Sequence, residues 1–387
     1  MTALNIAMIC DPIGDYKAGV LVSATRFGKL LKARGHKIVF IGARDKLNKK
    51  DNFHHGMKAY RFRSMFLPKS GGWYLAFPTV SEVKKILTAE KIDVIHIWLP
   101  MSGALVAIKA ARSLGIKIVA HSHSQPENVF SGVPKWSQSI LAKIWNKYLS
   151  WLYSKADSII YPSEMAREIL HHICEAKKPS IVISNGINTE EFKPADIGDF
   201  YERFGISRNC SYLIYVGRLF PEKSVPTLIR AMPVVKNQHP KGLAIIVGGG
   251  YLRPKLEKLA ASLNIQGQVK FLGQLSDEDL VKAFNLADIF ISPSLAELEG
   301  MTVLEAMACG KPIITTSAEM NAARFFVDDN GLLFEPENAV ALAEKIDILL
   351  SNEKLRIEMS AASLKKSKQY DIHQSVAKLE NLYYSLK

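Results

Sequence analysis

The chain has 387 residues, 48 % apolar and 22 % charged, with 24 glycines and 17 prolines. That balance excludes a disordered or collagen-like protein, and the length suits two packed domains. The formal charge of +13 is lopsided: residues 1–190 hold 27 basic and 13 acidic side chains, residues 191–387 hold 23 and 24. The first half is therefore the part suited to an anionic partner, either nucleic acid or the anionic face of a membrane.

The chain opens on an apolar stretch, Leu4 to Cys10, with no basic lead; it reads as a buried strand, not a secretory signal. A polar loop with Asp11, Gly14 and Gly19 leads into a helix with Val20, Leu21, Ala24, Phe27, Leu30 and Leu31 at helical spacing. Gly35 suits the end of that helix, and a second strand follows at His36–Gly42. Arg44 to Lys69 carries eight basic and two acidic residues before Gly71-Gly72-Trp73-Tyr74. It reads as a mobile basic loop with an aromatic tip. Buried strands are expected at Val94–Trp98, Ile116–Ala120, Ser158–Tyr161 and Ile181–Ser184, with helices between. Phe192 to Asn209, with Pro194, Gly198 and Gly205, reads as a hinge. The second half repeats the alternation with strands at Tyr212–Val216, Leu243–Val247, Val269–Leu272, Ile289–Ser292 and Pro312–Thr315, and ends in a helical stretch at Ala361–Leu386.

This pattern predicts an α/β protein of two doubly wound, Rossmann-like domains facing a cleft. The domains are an N-terminal one over 1–195 and a C-terminal one over 196–365. A last helix over 366–387 is expected to pack back on the first domain. No run reaches the ~18 apolar residues of a membrane span, so any membrane association is expected to be peripheral. Cys10, Cys174, Cys210 and Cys309 form no CxxC pair, which suggests reduced, cytoplasmic thiols and neither zinc nor a disulfide frame.

Dinucleotide and P-loop fingerprints are absent: Gly248-Gly249-Gly250 follows a strand but spells neither. The chemistry concentrates instead at Glu297-Leu298-Glu299-Gly300-Met301-Thr302-Val303-Leu304-Glu305. A helix opening at Gly300 offers backbone N–H groups and a favourable dipole to an anion, with a carboxylate on either side. Glu297 and Glu305 suit hydroxyls flanking a diphosphate; simple helix-end complementarity is the plainer alternative. Arg218 and Lys223, following the strand that ends at Val216, supply a planar fork and a point charge for the same diphosphate. Asp277-Glu278-Asp279 looks like a metal-binding DxD, but Ser276 with Asp279 fits a helix cap better, and no metal or other cofactor is expected.

These motifs together resemble the family 4 retaining glycosyltransferases of the GT-B fold. The resemblance spans nearly the whole chain: Arg34-Gly35-His36, Asn185-Gly186-Ile187-Asn188-Thr189-Glu190-Glu191-Phe192, Gly217-Arg218-Leu219 with Glu222-Lys223, and the Glu297/Glu305 pair with Ala306-Met307-Ala308-Cys309-Gly310. It implies a UDP-sugar donor held by the second domain. Gly217, Arg218 and Lys223 would lie at the diphosphate, Glu305 at the ribose, and Glu297 at the transferred sugar beside the amides of Gly300, Met301 and Thr302. It also implies retention of configuration by front-face substitution, the acceptor proton passing to a donor phosphate oxygen. His123, after the Ile116–Ala120 strand, matches the family's active-site histidine; a structural histidine is the alternative reading. The chain departs from the family at Ala18-Gly19, where a Gly-Gly pair is usual, at Glu299, where many relatives carry Phe, and at Ser317-Ala318-Glu319-Met320-Asn321, where a glycine-rich turn is usual.

The acceptor is read from softer features. Ser124-Gln125-Pro126-Glu127-Asn128 and Gly300-Met301-Thr302 look most like the diacylglycerol glucosyltransferases of that family. Gly19 and Trp73 fall on the acceptor side. Lys135, Trp136, Lys143, Trp145, Lys147 and Trp151 interleave basic and aromatic residues, with Ile140, Ile144, Tyr148 and Trp151 sharing a stripe. That suits a helix lying on an anionic bilayer, and an amphipathic helix burying its stripe fits as well. The expectation is a hexosyltransferase at the inner face of the cell membrane, using UDP-glucose or a close relative and diacylglycerol or a related lipid, with no nucleic-acid partner. Alternatives are transfer to a soluble or polyprenyl-linked glycan, a nucleotide-sugar epimerase, and a nucleic-acid-binding protein.

Overall fold

A computed structural model describes residues 2–14, 19–44, 52–66, 74–130, 133–174 and 178–387. The chain forms two compact units: unit 1 combines Met1–Asn185 with Ile372–Lys387, and unit 2 is Gly186–Asp371. The chain thus crosses between units twice, and Phe192 with the residues around it belongs to unit 2.

Unit 1 begins with strand β1 (Asn5–Pro12), helix α1 (Gly19–Ala33) and strand β2 (Lys37–Ala43), the β-α-β unit expected from the apolar spacing. The basic stretch after it departs from expectation. Its described part is not a loop: β3 (Phe53–His54) and β4 (Met57–Phe62) join the sheet, β4 running parallel to β2 with Phe40 opposite Ala59. The alternation Met57, Ala59 inward and Lys58 outward was the overlooked strand signal. A hairpin of β5 (Ser64–Phe66) and β6 (Tyr74–Ala76) follows; Gly71, Gly72 and Trp73 lie outside the described residues. Helix α2 (Val80–Ala89) starts with a capping box: the Thr79 hydroxyl accepts from Glu82 N–H, and the Glu82 carboxylate accepts from Thr79 N–H. Then come β7 (Val94–Ile97), α3 (Ser102–Ser113), β8 (Lys117–His121), α4 (Pro126–Val129), α5 (Lys135–Tyr153), β9 (Ser158–Tyr161), α6 (Glu164–Cys174) and β10 (Ser180–Val182). The sheet order is β10-β9-β8-β7-β1-β2-β4-β3, parallel except for the β3–β4 pair.

Unit 2 is a six-stranded parallel sheet of order β13-β12-β11-β14-β15-β16. Its strands are β11 (Ser211–Val216), β12 (Gly242–Val247), β13 (Val269–Gly273), β14 (Ile289–Ser292), β15 (Ile313–Thr316) and β16 (Gly331–Phe334). The first five match the apolar runs in the sequence. β16 was missed because only its two ends are buried. Helices α7 (Phe200–Phe204), α8 (Val225–Gln238), α9 (Arg253–Ser262), α10 (Asp277–Leu286), α11 (Met301–Ala308), α12 (Ala339–Leu350) and α13 (Glu353–Ser367) complete the unit, with separate apolar cores that include Phe284 and Phe290 in one and Leu228 and Ile246 in the other. Ser276 caps α10, its hydroxyl accepting from Asp279 N–H at 3.0 Å, while the Asp279 carboxylate takes both Nη atoms of Arg203 at 2.8 and 2.9 Å. The acidic triplet is thus a helix start tied to α7.

The last stretch, read as one helix, is two. The short turn at Lys368–Tyr370 ends α13's run, and α14 (Ile372–Leu386) returns to unit 1. Its Ile372, Val376, Leu379 and Tyr383 share the unit 1 core with Leu4, Phe27 and Phe40. Each such buried side chain is worth about 1.5–3 kcal/mol over leaving it in water. Glu380 adds a carboxylate 2.9 Å from both Arg34 Nη1 and His36 Nε2, which gives the Arg34-Gly35-His36 motif its structural meaning.

Candidate functional site

In unit 2, β11 and β14 are sheet neighbours whose onward connections run to opposite sides, so their C-terminal ends form the switch point where open parallel sheets take ligands. Gly217, Arg218 and Lys223 follow β11; Glu297, Gly300 and Glu305 follow β14. The loops are tied together: Leu295 N–H donates to the Glu222 carbonyl at 2.8 Å, and Lys223 Nζ donates to Glu297 Oε1 at 2.7 Å. Arg218 Nη2 donates to Glu222 Oε1 at 2.8 Å, and its guanidinium lies over the Phe220 ring. The two cations assigned to a diphosphate thus each hold a carboxylate. Glu222, quoted in the motif but given no role, is a buried member of this network; an acid placed between Arg218 and Lys223 was the available signal. The glycines after β12 are also explained. A Cβ on Gly248 would fall 2.0 Å from the Gly217 carbonyl oxygen, so this loop supports the β11 loop by close backbone approach.

Gly300 is the N-cap of α11 at φ 99°, with no side-chain cap, and a Cβ there would meet Ala323 Cβ at 2.7 Å. Met301 and Thr302 form the first turn, and Glu305 in the second turn is buried, as is Glu299. Glu297 is anchored by its backbone: its N–H donates to Met320 O and its carbonyl accepts from Ala322 N–H, both at 2.9 Å. The turn that replaces the family's glycine-rich one is held by Asn321, fully buried, whose Nδ2 donates to Thr315 Oγ1 and Thr316 O at 3.2 Å. Asn321 has no role in the sequence reading of the site; an Asn directly before a short helix, capping it by accepting from Ala323 N–H, was its signal.

In unit 1, His123 lies beyond the end of β8. Its ring is stacked on Trp98 at 5.3 Å and lies 4.2 Å from the ring of His121, which stacks on His96. His96 Nδ1 shares a 2.6 Å hydrogen bond with the Tyr383 hydroxyl of α14. Burial pushes the His123 pKa down to about 3 and those of His96 and His121 well below 6.5. All three are neutral at pH 7. The unfolded chain takes protons below about pH 6.5 that the folded column refuses, so stability is lost as pH falls through 6.5. Burial raises Asp11 to about 6, which acts the other way between pH 6 and 3.8. The three imidazoles outweigh one carboxyl, and the melting midpoint is expected to drop between pH 6.5 and 5. Scanning calorimetry across that range checks this; an unchanged midpoint would contradict it.

The α5 face is the clearest departure from an ordinary amphipathic helix. Trp136, Ile140, Ile144 and Trp151 are 80, 59, 61 and 46 % exposed, with Lys143 and Lys147 exposed beside them. Two expected members turn inward. Tyr148 donates to Pro100 O at 2.7 Å, and half-buried Trp145 contacts the Phe130 and Tyr148 rings. The Lys135 side chain is not among those described, and Gly19 opens α1. Among the described residues no helix is long and apolar enough to cross a membrane.

Two family models match consecutive parts of the chain: Glycosyltransferase Family 4 over residues 18–191 and Glycosyl transferases group 1 over residues 196–366. Among solved structures, sucrose-phosphate synthase of Thermosynechococcus elongatus superposes with TM-score 0.83 at 22 % identity over 99 % of both chains. Anabaena HepE, solved in complex with UDP-glucose, gives 0.79 at 20 % identity, covering 99 % of this chain and 100 % of its own. The fold is GT-B. The chain belongs to the family 4 glycosyltransferases and is an enzyme of sugar transfer. Its relatives include the phosphatidylinositol N-acetylglucosaminyltransferase GPI3 subunit of Saccharomyces cerevisiae (28 % identical over 81 % of this chain and 68 % of that one). Two others are the alpha-monoglucosyldiacylglycerol synthase of Streptococcus pneumoniae (26 %, 80 % and 70 %) and the N-acetyl-alpha-D-glucosaminyl L-malate synthase of Bacillus anthracis (25 %, 99 % and 97 %).

Proposed function

We propose that this enzyme moves a hexose, glucose favoured, from a UDP-sugar to diacylglycerol or a related membrane lipid, with retention of configuration. Unit 2 takes the donor: Arg218 and Lys223 face the diphosphate, the α11 start contributes N–H groups and dipole, Glu305 takes the ribose hydroxyls and Glu297 the sugar. The C1–O bond to UDP breaks as the bond from C1 to the acceptor oxygen forms on the same face. The acceptor proton goes to the departing phosphate, so the protein's task is electrostatic stabilisation and positioning. His123, neutral at pH 7, serves as a hydrogen-bonding partner and not as an acid. The charge of the leaving group is met by Arg218, Lys223 and amides, so no metal is called for.

The observation that carries the lipid half is the α5 face, where exposed tryptophans and isoleucines alternate with lysines on the strongly basic half of the chain. It supports peripheral attachment to an anionic cytoplasmic leaflet. A donor panel offered with dioleoylglycerol in phosphatidylglycerol vesicles tests the reading. UDP-glucose is expected to give a glycolipid by thin-layer analysis, with an α-linkage by NMR. Transfer only to soluble or polyprenyl-linked glycans would overturn the lipid assignment. EDTA in the same assay is expected to leave the rate within about twofold, and abolition by EDTA restored with Mg2+ would refute the metal-free account.

A further inference from the structure

Strands β5 and β6 pair antiparallel, with Met65 opposite Leu75 and Phe66 opposite Tyr74, and Phe77 N–H continues the register by donating to Arg63 O at 2.8 Å. Opposite residues share a face and neighbours alternate. Ser64, Phe66, Tyr74 and Ala76 therefore form one face of the hairpin, and Arg63, Met65, Leu75 and Phe77 the other. The first is turned inward, since Ala76 is fully buried. The second faces out, where an antiparallel pair usually carries polar side chains. Here Met65 and Phe77 are 52 and 53 % exposed, Leu75 is half-buried, and the one charged member is the exposed Arg63. An outward apolar face of this kind marks an interaction surface. Its position is also informative, because the hairpin and α5 are both fastened to the connection from β7 to α3. Ser102 Oγ donates to Ala76 O at 2.6 Å, and the Tyr148 hydroxyl of α5 donates to Pro100 O at 2.7 Å. Two exposed apolar surfaces thus flank one rim of unit 1, beyond the C-terminal end of β7.

We propose that the outer face of this hairpin is a second membrane contact, with Met65, Leu75 and Phe77 entering an anionic bilayer beside α5. The inference rests on the membrane half of the proposed function and adds a second element to it. Charge selects the occupant. Arg44 to Lys69, which includes β5, carries eight basic and two acidic residues, complementary to anionic headgroups. A second copy of the chain seated on the same face would bring that positive excess against itself. The open backbone edges of such short strands need water, so the side chains reach the acyl region while the backbone stays among the headgroups. A nitrobenzoxadiazole label on Met65→Cys, and separately on Ile140→Cys of α5, reads each surface in full chains that also carry Cys174→Ser and Cys210→Ser. Phosphatidylglycerol vesicles are expected to brighten and blue-shift the emission from both positions. A shift at position 140 with none at 65 would overturn the hairpin contact and leave the α5 reading intact. A shift at 65 alone would support the hairpin and overturn the α5 reading, and no shift at either would overturn both. In the unlabelled chain, Met65→Ser with Phe77→Ser removes two side chains that the fold does not bury. This double variant is expected to weaken vesicle sedimentation about tenfold or more, with an unchanged melting midpoint. Sedimentation equal to that of the wild type would overturn the proposal. So would a dimer, seen by light scattering without lipid, that the double variant dissociates.

Discussion

Replacing Lys223 with methionine is expected to cut kcat for sugar transfer by about 10²–10³-fold, the effect of removing one preorganised group that stabilises developing negative charge. Lys223 is nearly buried, with a side chain 10 % exposed, and sits 2.7 Å from Glu297, whose own side chain is 19 % exposed. The ammonium therefore has a fixed position before any ligand arrives, as the role proposed for it at the leaving diphosphate requires. Glu297→Gln is expected to lower kcat as well, through the sugar contact and through loosening of Lys223. Because the two side chains touch, the double variant should lose less than the product of the single losses. Steady-state kinetics on the four proteins, with melting midpoints as the check on folding, gives the coupling. Multiplicative losses would show that the pair does not act together, and a Lys223→Met enzyme of normal kcat would remove the diphosphate assignment.

The second large effect concerns the membrane. Trp136→Ser, Ile140→Ser and Ile144→Ser together are expected to weaken binding to phosphatidylglycerol vesicles by more than 100-fold, since full burial of such side chains is worth about 1.5–3 kcal/mol each. Lys143→Ala with Lys147→Ala should cost less, about 1 kcal/mol per lysine, and that loss should shrink as salt rises. None of the five side chains is buried in the protein, so the melting midpoint should hold in both variants. Vesicle sedimentation reads the difference. Unimpaired sedimentation of the triple variant would assign this face to something other than lipid.

The parallel strands were legible because burial on both faces makes them continuous apolar runs: β9 and β14 occur just where Ser158–Tyr161 and Ile289–Ser292 suggested. Strands β4 and β16 were not, because their exposed positions dilute the signal. In the site, Arg218, Lys223, Glu297 and Gly300 could be singled out from their places after strands. Their pairing could not: it depends on β11 and β14 being neighbours, a non-local fact. On α5, helical periodicity located the stripe but gave no sign of which residues the fold would cover. Trp145 turned inward and Trp136 outward because α4 and the strand ends lie under one face only.

The second crossing of the chain has a consequence for biogenesis. Tyr383, Leu379 and Val376 are core residues of a unit whose other 185 residues leave the ribosome first. The early-made half must therefore wait, with part of its interior uncovered, until the whole of the later half has been translated. Pulse-labelled nascent chains stalled before Ile372 should remain sensitive to protease in their N-terminal half, while a lesion in codons 372–387 should be felt far back in the polypeptide, among the strands of unit 1.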